Sequence, residues 1–522
     1  MSNNCNPPTC DQNYDPSCES MDCMFNVDAV NVDKLFKRTE DLREAYEGHD
    51  QRLFDVENIV VSHTESINNI TANLNSLNAV IVTNQAQFLA ALNLSRPIII
   101  RGTVTLTTQF NINIPTRIIG EPGAKLVCQS PSWTFNMAAP LEISHLLVCG
   151  VSNSIGYFLN IGGTQRAGAD ANLRLVSCWF QDFGNIITMT GGPTSPLGPR
   201  TIIYDCDFKN IGSSTFNGLG QEGAIYMDWN LGQTIIDSCR FHDGSIWGNP
   251  IWLGHSAFPS IAPLGEALYM TRNHMVNFHR NGIETFIAGK AFVLNNYIEG
   301  GDAAFSNTAP GSGMGISLAG GNSVASNNYI KNVWAYGIEV FRANNTIEGN
   351  TIDGLLSIDT NPGRVPKGIS IDQASTSTIK NNTIRNITHK TASKYAIACT
   401  TSSDIVLKSN TLDNVTYAIW VNTNCERFTI RDNDIGLEVD PNFLLGSYSA
   451  YSVRIFSGTA HKILNNVCTL GPLLDGVISP ANRAVLFAFE AGSGGCVDFT
   501  PTIVGPVVST TAFHNTSSNI VV

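Results

Sequence analysis

In the second half of the chain, an asparagine followed by one variable residue and then an apolar residue returns every 22 to 32 residues. These triplets begin at Asn273, Asn296, Asn328, Asn350, Asn382, Asn410 and Asn433. Upstream, cysteine fills what the spacing indicates to be the same position, at Cys149, Cys178, Cys206 and Cys239. Units of this irregular length are typical of the coils of a parallel β-helix, in which one residue per coil stacks on its counterpart in the next. We therefore predict a buried ladder in which asparagine amides bond one another and cysteines act as small apolar residues.

A second repeated segment predicts a strand in each coil, with glycine and isoleucine at its start. Alternation places one isoleucine per coil inside, at Ile283, Ile316, Ile338 and Ile369. The residues that alternate with the buried isoleucine within each strand then share one outer face. That face is predicted to carry Tyr226, Asp228, Trp252, His255, Glu284, Phe286, Glu339, Phe341, Asp372 and Trp420.

Residues 25–80 carry a heptad pattern of apolar positions, which runs unbroken from Leu42 to Leu77. A pattern sustained over this length predicts a coiled coil. Isoleucine and valine at both core positions favour a homotrimer over a dimer. Next, Thr83 and Asn84 are predicted to cap a short amphipathic helix that passes through Phe88, Leu89 and Leu92.

Residues 1–24 hold four cysteines, at Cys5, Cys10, Cys18 and Cys23. Their spacing leaves a metal site, disulfides or a docking peptide open, although the usual two-residue gaps of a zinc site and any histidine are missing. We favour a tail that folds on a partner, and we predict no cofactor.

Composition limits the classes of partner. The chain has 522 residues, a formal net charge of −12 and only 14% charged residues, which argues against nucleic acid or an anionic membrane as a partner. The sequence shows no signal peptide and no apolar run of ~18 residues, so we expect no membrane insertion. Cysteines in the ladder position are expected to be reduced, which favours assembly in a cytoplasm.

Aromatic rings beside carboxylates on the outer face are the features that a sugar-binding groove requires. Coils lie ~4.8 Å apart, so Glu339 and Asp372, one coil and two residues apart, are separated by roughly 8 Å at the backbone. This lies within the ~6.5–9.5 Å window of inverting glycosidases. We therefore predict Glu339 and Asp372 as the catalytic pair, with Glu284 next, and the aromatic residues with Asp228 as substrate-binding. Burial of the same stripe between protomers is the alternative.

The start of the repeat region resembles a known superfamily. A short helix, then the segment from Ile100 to Leu106 and the segment from Arg117 to Ala124, are similar to the entry cap and first coils of the pectate lyase-like right-handed β-helix superfamily. The resemblance implies a β-helix over residues 81–470, with a C-terminal cap or tip at 471–522. Residues 251–256 and 364–366 match pectate lyase signatures only in part, so those roles are not carried over. Elimination chemistry remains a second option, with Arg342, Arg364 and Lys367 near the proposed face.

A trimeric coiled coil that leads into such a β-helix resembles bacteriophage tailspikes and receptor-binding fibres. That resemblance implies attachment of the N-terminus to virion tail or vertex proteins, a location in the virion tail, and recognition of bacterial surface polysaccharide. Depolymerisation of that polysaccharide, purely adhesive binding and a bacterial surface adhesin all remain open.

Overall fold

The computed structural model describes residues 78–515, apart from several short segments. The segments not described within this range are 131, 152–155, 163–171, 191–199, 213–222, 229–231, 244–248, 255–266, 279–280, 286–289, 301–312, 356–365, 388–393, 438–449, 471–483, 490–495 and 505–512. The predicted N-terminal tail and nearly all of the predicted coiled coil lie outside the described residues. From Ala79 onward the chain forms one compact unit.

The strands of this unit fall into three stacks, and successive coils contribute one strand to each in turn. The first stack contains Val80–Val82, Ile98–Ile100, Thr116–Gly120, Leu141–Ser144, Leu173–Val176, Thr201–Tyr204, Thr234–Asp237, Leu268–Thr271, Ala291–Leu294, Val324–Ser326, Thr346–Glu348, Thr378–Lys380, Val406–Lys408 and Thr429–Arg431. The second stack contains Thr103–Leu106, Lys125–Cys128, Leu147–Cys149, Trp179–Phe183, Asp207–Ile211, Arg240–His242, His274–Val276, Tyr297–Glu299, Tyr329–Val333, Thr351–Leu355, Thr383–Ile387, Thr411–Val415 and Asp434–Leu437. The third stack contains Phe110–Ile112, Trp133–Met137, Tyr157–Gly162, Asn185–Thr190, Gly223–Asp228, Asn249–Gly254, Ile283–Thr285, Met314–Leu318, Tyr336–Phe341, Lys367–Asp372, Tyr395–Thr400, Tyr417–Val421, Ala450–Ile455, Ala484–Phe489 and Phe513–Asn515. Two longer strands, His461–Leu470 and Cys496–Val504, span the first and second stacks.

Each strand pairs in parallel with the strand of the next coil, and isoleucine pairs with isoleucine along the third stack. Ile283, Ile316, Ile338 and Ile369 follow one another in register and are fully buried, as the alternation predicts. Stacked branched side chains of equal size fill the centre of the solenoid in these coils. The predicted all-β, parallel β-helix solenoid is confirmed.

The entry to the solenoid is covered by one helix, Gln85–Ala91. Asn84 caps it, because its side chain accepts a hydrogen bond from the backbone N–H of Gln87 at 3.0 Å. Phe88 is buried beneath the helix, whereas Leu89 is 53% exposed. The buried apolar face of the helix is therefore narrower than predicted. Within the described residues, no helix has the length and apolar character needed to cross a membrane.

The asparagine ladder forms as predicted and continues one coil further, to Asn466. In each coil the side-chain amide donates to the Oδ1 atom of the next ladder residue, for example from Asn350 to Asn382 at 2.9 Å. The same Oδ1 atom also accepts a hydrogen bond from the backbone N–H of Asn350 at 3.0 Å. A second bond from the amide reaches the Ala325 carbonyl at 2.9 Å. Every polar atom of the buried side chain is thereby used, which offsets the cost of removing an amide from water.

The cysteine part of the ladder differs from the prediction at its first member. Leu147 pairs with Trp179, so the residue aligned with Cys178 is Leu146, which is buried. Cys149 lies three residues further along the strand and pairs with Gln181. Sequence spacing alone misaligned this coil, because an apolar leucine fills the position there and leaves no distinctive letter.

The ladder cysteines are free and buried, as are the other described cysteines from Cys128 to Cys468. Burial raises the pKa of the Cys128 thiol to about 12, and it raises the pKa values of Cys178 and Cys206 well above the ordinary range. Such thiols stay protonated and unreactive at neutral pH. They serve as core residues, in agreement with the prediction.

Parallel pairing continues beyond residue 470, where the sequence repeat is lost. Ala484–Phe489 pairs with Ala450–Ile455, and Phe513–Asn515 pairs with Ala484–Phe489. The third stack therefore extends to Asn515 rather than ending at 470. The ladder side chains disappear from the sequence before the strands do, because backbone pairing does not depend on them.

Candidate functional site

The outward residues of the third stack form one continuous row along the solenoid. Register places Tyr226, Trp252, Glu284, Ser317, Glu339, Ser370, Ala398 and Trp420 next to one another, one per coil. Seven coil steps at ~4.8 Å give the row a length of roughly 34 Å. Three acids and one lysine lie around its centre, and we call Glu284, Glu339, Lys367 and Asp372 the acidic cluster.

A row of glycines sets the close approach of the coils beside the acidic cluster. A Cβ atom on Gly337 would lie 2.6 Å from the Gly368 carbonyl oxygen and 2.8 Å from a methyl carbon of Ile352. Gly368 is similarly confined, with 2.5 Å to the Ala396 carbonyl oxygen. These positions need the absence of a side chain rather than an unusual backbone angle. The tight stacking brings the outward side chains of neighbouring coils into contact.

Glu339 is partly buried on its strand, and the Ser317 hydroxyl donates a hydrogen bond to its Oε2 atom at 2.8 Å. Burial raises the pKa of the Glu339 carboxyl to about 7, opposed first by the Ser317 bond. The negative charges of Glu284 and Asp372 raise this pKa further, whereas the Lys367 charge lowers it. Glu339 is therefore a carboxyl group that exists in both protonation states near neutral pH.

Asp372 lies on the next coil, directly beside Phe341 and two positions along from the partner of Glu339. This is the offset that the sequence predicts for the pair. Burial raises the pKa of the Asp372 carboxyl above its ordinary value, opposed by the charge of Lys367. Two carboxyls on adjacent strands therefore share one neighbouring cation.

Lys367 is the cation of the acidic cluster. Its Nζ atom donates to the Ser370 hydroxyl at 3.1 Å and lies 5.1 Å from the centre of the Tyr336 ring, within cation–π range. Burial lowers the pKa of Lys367, while the charges of Asp372 and Glu339 raise it. The ammonium group thus contacts an aromatic face and a hydroxyl group, and the charges of two acids act on it.

Glu284 is only 7% exposed, although it belongs to the outward row. The Asn281 side-chain amide donates to its Oε2 atom at 2.9 Å, and Asn281 Oδ1 accepts from the backbone N–H of Met314 at 3.1 Å. These bonds fix the Glu284 carboxylate in place. Its position suits an electrostatic role toward Glu339 better than direct contact with a ligand.

An aromatic group follows the acidic cluster along the stack. The Trp420 and Tyr395 rings are stacked with centroids 4.4 Å apart, and Tyr395 contacts Tyr417 with centroids 5.2 Å apart. Trp420 belongs to the same outward row as Glu339, three coils further on. Tyr395 and Tyr417 are buried, whereas Trp420 is partly exposed, so the Trp420 ring alone provides an apolar surface on the row.

The remaining predicted residues are placed as follows. Tyr226 lies in the outward row and is only 4% exposed. Trp252 and Asp228 lie on strands of the third stack, Trp252 between Tyr226 and Glu284 and Asp228 beside Gly254. Phe286 lies outside the described residues. Tyr226 is four coils from Glu339, so it does not lie beside the predicted pair.

Sequence reasoning overlooked the tyrosines at the starts of the third-stack strands. Tyr336, Lys367, Tyr395 and Tyr417 pair in succession, and each stands two residues before the buried isoleucine of its strand. That fixed offset is the sequence signal that places these residues in one row; of the four, the sequence analysis names only Lys367. In the part of the chain that the structure describes, no three His, Cys, Asp or Glu side chains are grouped closely enough to hold a metal ion.

A family model described as "Right handed beta helix region" matches residues 265–435. The fold is a right-handed parallel β-helix. The matched part of this β-helix contains all four residues of the acidic cluster. A search of curated proteins gave no match.

Among solved structures, this β-helix is similar to pre-mature bacteriophage phi29 gene product 12, at 12% identity and a TM-score of 0.37 over 80% of this chain. The chain spans about half of that protein, 53% of its length. It is also similar to the A-module of the Azotobacter vinelandii mannuronan C-5 epimerase AlgE6, at 9% identity and a TM-score of 0.35, covering 83% of this chain and 99% of the module. The Dettilon tailspike protein matches at 12% identity and a TM-score of 0.29, covering 84% of this chain and 70% of that one.

Proposed function

We propose that this protein is a phage tailspike or tail fibre that attaches to bacterial surface polysaccharide and hydrolyses it at Glu339 and Asp372. The observation that carries the proposal is the state of Glu339, whose pKa is about 7 because of burial and neighbouring acids. A carboxyl group that keeps its proton near neutral pH is the group that a glycosidase uses as general acid.

The two carboxyls divide the chemistry of an inverting hydrolysis. Protonated Glu339 donates its proton to the glycosidic oxygen as the bond from that oxygen to the anomeric carbon breaks. Asp372 removes a proton from a water molecule whose oxygen forms the new bond to the same carbon from the opposite side. The offset of one coil and two residues, roughly 8 Å at the backbone by strand dimensions, leaves room for that water.

The neighbouring residues bind the sugar chain and set the charge states. Phe341 lies directly beside Asp372 in register, and the Trp420 ring lies further along the same face, so both provide stacking surfaces for pyranose rings. Glu284 raises the pKa of Glu339 through its charge. Trp252, Asp228, Phe286 and Tyr226 extend the proposed substrate-binding row toward the N-terminal coils.

The N-terminal residues complete the proposed assembly. Residues 25–80 form a trimeric coiled coil in this proposal, supported by the uninterrupted heptads from Leu42 to Leu77. Residues 1–24 attach the homotrimer to virion tail or vertex proteins, which gives the protein its location in the virion tail. Free, buried cysteines are compatible with assembly in the reducing host cytoplasm.

The test incubates the purified full-length protein with capsule and lipopolysaccharide from a panel of bacteria. New reducing ends without absorbance of an unsaturated sugar are expected. Glu339→Gln and Asp372→Asn should each lower cleavage by about 10²–10⁴-fold while binding is retained. Glu348→Gln is the matched control, since Glu348 lies on the first stack and pairs with Lys380 at 3.1 Å.

Other outcomes would replace this mechanism. Absorbance of an unsaturated product would indicate elimination, with Lys367 as the group that neutralises the uronate. Binding without any product would leave a non-enzymatic, adhesive receptor-binding fibre, and the catalytic roles of Glu339 and Asp372 would be abandoned.

A further inference from the structure

A second groove lies on a different stack from the acidic cluster. It has a volume of about 470 Å³ and crosses the second stack, where Trp179, Gln181, Asp207, Lys209, Arg240 and His242 line it. The strand Trp179–Phe183 belongs to the coil that continues into Asn185–Thr190. Five coil steps, roughly 24 Å along the solenoid axis, separate that coil from the Glu339 strand.

Trp179 is the main apolar surface of this groove. It is 52% exposed, although it stands on a strand whose neighbouring residue Phe180 is buried in the core. In register it lies between Leu147 on one coil and Asp207 on the next. A fixed indole ring beside polar side chains can stack on the apolar face of a sugar while its neighbours bond the hydroxyl groups.

The acid in the groove is already paired. Asp207 Oδ1 lies 2.8 Å from the Nε2 atom of His242, and the Nδ1 atom of the same ring lies 3.1 Å from Asp243. The Gln181 amide donates to Asp182 at 3.2 Å. These contacts hold the polar floor of the groove in a defined arrangement.

Unlike Asp207, the two cations of the groove have no ion-pair partner among the described residues. Lys209 and Arg240 are exposed, and within the described residues neither forms an ion pair. Register places Lys209 between Gln181 and His242, and Arg240 beside Asp207. In a chain with a net charge of −12, these two exposed cations beside an exposed tryptophan can pair with an anionic group of a ligand, although the charge of Lys209 also acts on Asp243.

We propose that this groove is a second, non-catalytic saccharide-binding site that takes an acidic sugar segment. A sugar ring stacks on Trp179, while its carboxylate, sulfate or phosphate group pairs with Arg240 and Lys209. Among the described residues that line the groove, Asp207 is the one carboxylate, and it is held by His242, so we infer binding without cleavage. The inference does not depend on catalysis at Glu339.

The test uses full-length protein carrying Glu339→Gln, so that no cleavage complicates the measurement. Titration calorimetry compares the Glu339→Gln protein with variants that also carry Trp179→Ala or Arg240→Glu. The ligands are size-matched oligogalacturonate, a sulfated oligosaccharide and a neutral dextran oligosaccharide. Tyr204→Ala is the control, because Tyr204 is another exposed aromatic residue, 44% exposed, on the first stack. Circular dichroism checks that each variant is folded.

We expect an acidic oligosaccharide to bind the protein. Its affinity should fall at least tenfold in the Trp179 and Arg240 variants, and it should also fall as the salt concentration is raised. The Tyr204 variant should bind as tightly as its parent. Unchanged affinity in both groove variants, preference for the neutral oligosaccharide, or no binding of either acidic probe would each overturn the inference. Because cleavage is measured separately with unsubstituted protein, failure of the Glu339 mechanism would leave these outcomes unaffected.

Discussion

The Ser317 hydroxyl donates a hydrogen bond to the Glu339 carboxyl group across two paired strands, at 2.8 Å. This bond favours the charged form of Glu339, whereas burial and the charges of Glu284 and Asp372 favour the neutral form. The balance leaves the pKa of Glu339 at about 7. Each neighbour can therefore be removed separately to move this pKa in a known direction.

Ser317→Ala and Glu284→Gln should move the pH dependence of cleavage in opposite directions. Loss of the Ser317 bond raises the pKa of Glu339, so the decline in activity on the alkaline side should occur at higher pH. Loss of the Glu284 charge lowers that pKa, so the same decline should occur at lower pH. Initial rates from pH 4 to 10 measure both effects, and equal profiles for the two variants would contradict the assignment of Glu339 as the acid.

Lys367→Met should move both sides of the pH profile upward. The Lys367 charge lowers the pKa values of both Glu339 and Asp372, so its removal raises both. Activity should then begin at higher pH on the acidic side as well as persist to higher pH on the alkaline side. Lys380→Met, which removes an exposed lysine of the first stack, should leave the profile unchanged. A shift on the alkaline side alone would show that Lys367 does not act on Asp372.

Glu339→Gln should change the pH dependence of stability. The pKa of Glu339 is about 7 in the folded state against an ordinary value of 4.5 in the unfolded chain, so the stability linked to its neutral form is fully present below pH 4.5. It is lost as pH rises through about 7, by up to about 3 kcal/mol. The free energy of unfolding of the wild type should therefore fall relative to that of Glu339→Gln between pH 4.5 and 7.5. A constant difference between the two across this range would contradict the raised pKa.

Asn350→Ala should destabilise the β-helix strongly. The Asn350 amide donates to Ala325 and Asn382, and its Oδ1 atom accepts from the backbone and side chain of Asn328. Because several buried polar groups lose their partner at once, we expect a loss of at least about 3 kcal/mol. Denaturant unfolding measures this loss.

Asn136→Ala is the matched control for the ladder. Asn136 also bonds asparagines of the adjacent coils, Asn111 at 3.2 Å and Asn160 at 3.3 Å, but it lies on the outer side of the third stack and is partly exposed. Water can replace these bonds, so the cost should stay below about 1 kcal/mol. A similar loss of unfolding free energy in the two variants would show that burial does not add to the stabilising effect of the ladder hydrogen bonds.

The sequence repeat predicted the fold because the periodic residues make the same hydrogen bonds or fill the same core position in successive coils. Asn273 to Asn433 satisfy one another's amides, and Ile283 to Ile369 fill the centre. The coil at Cys149 was misaligned, since Leu146 does the same task with a common residue. Backbone pairing continues to Phe513–Asn515 without any ladder residue, so the sequence repeat does not indicate where the strands end.

The sequence by itself determined the solenoid, the order of its outward residues and the one-coil offset of Glu339 and Asp372. Those features depend on period and alternation, which are local properties of the chain. Only the tertiary structure decided that Ser317 bonds Glu339, that Lys367 contacts Tyr336 and Ser370, and that Tyr226 and Glu284 are covered. The protonation of a carboxyl group depends on burial and on charges from other coils, and residues 22 to 55 positions away along the chain supply them for Glu339.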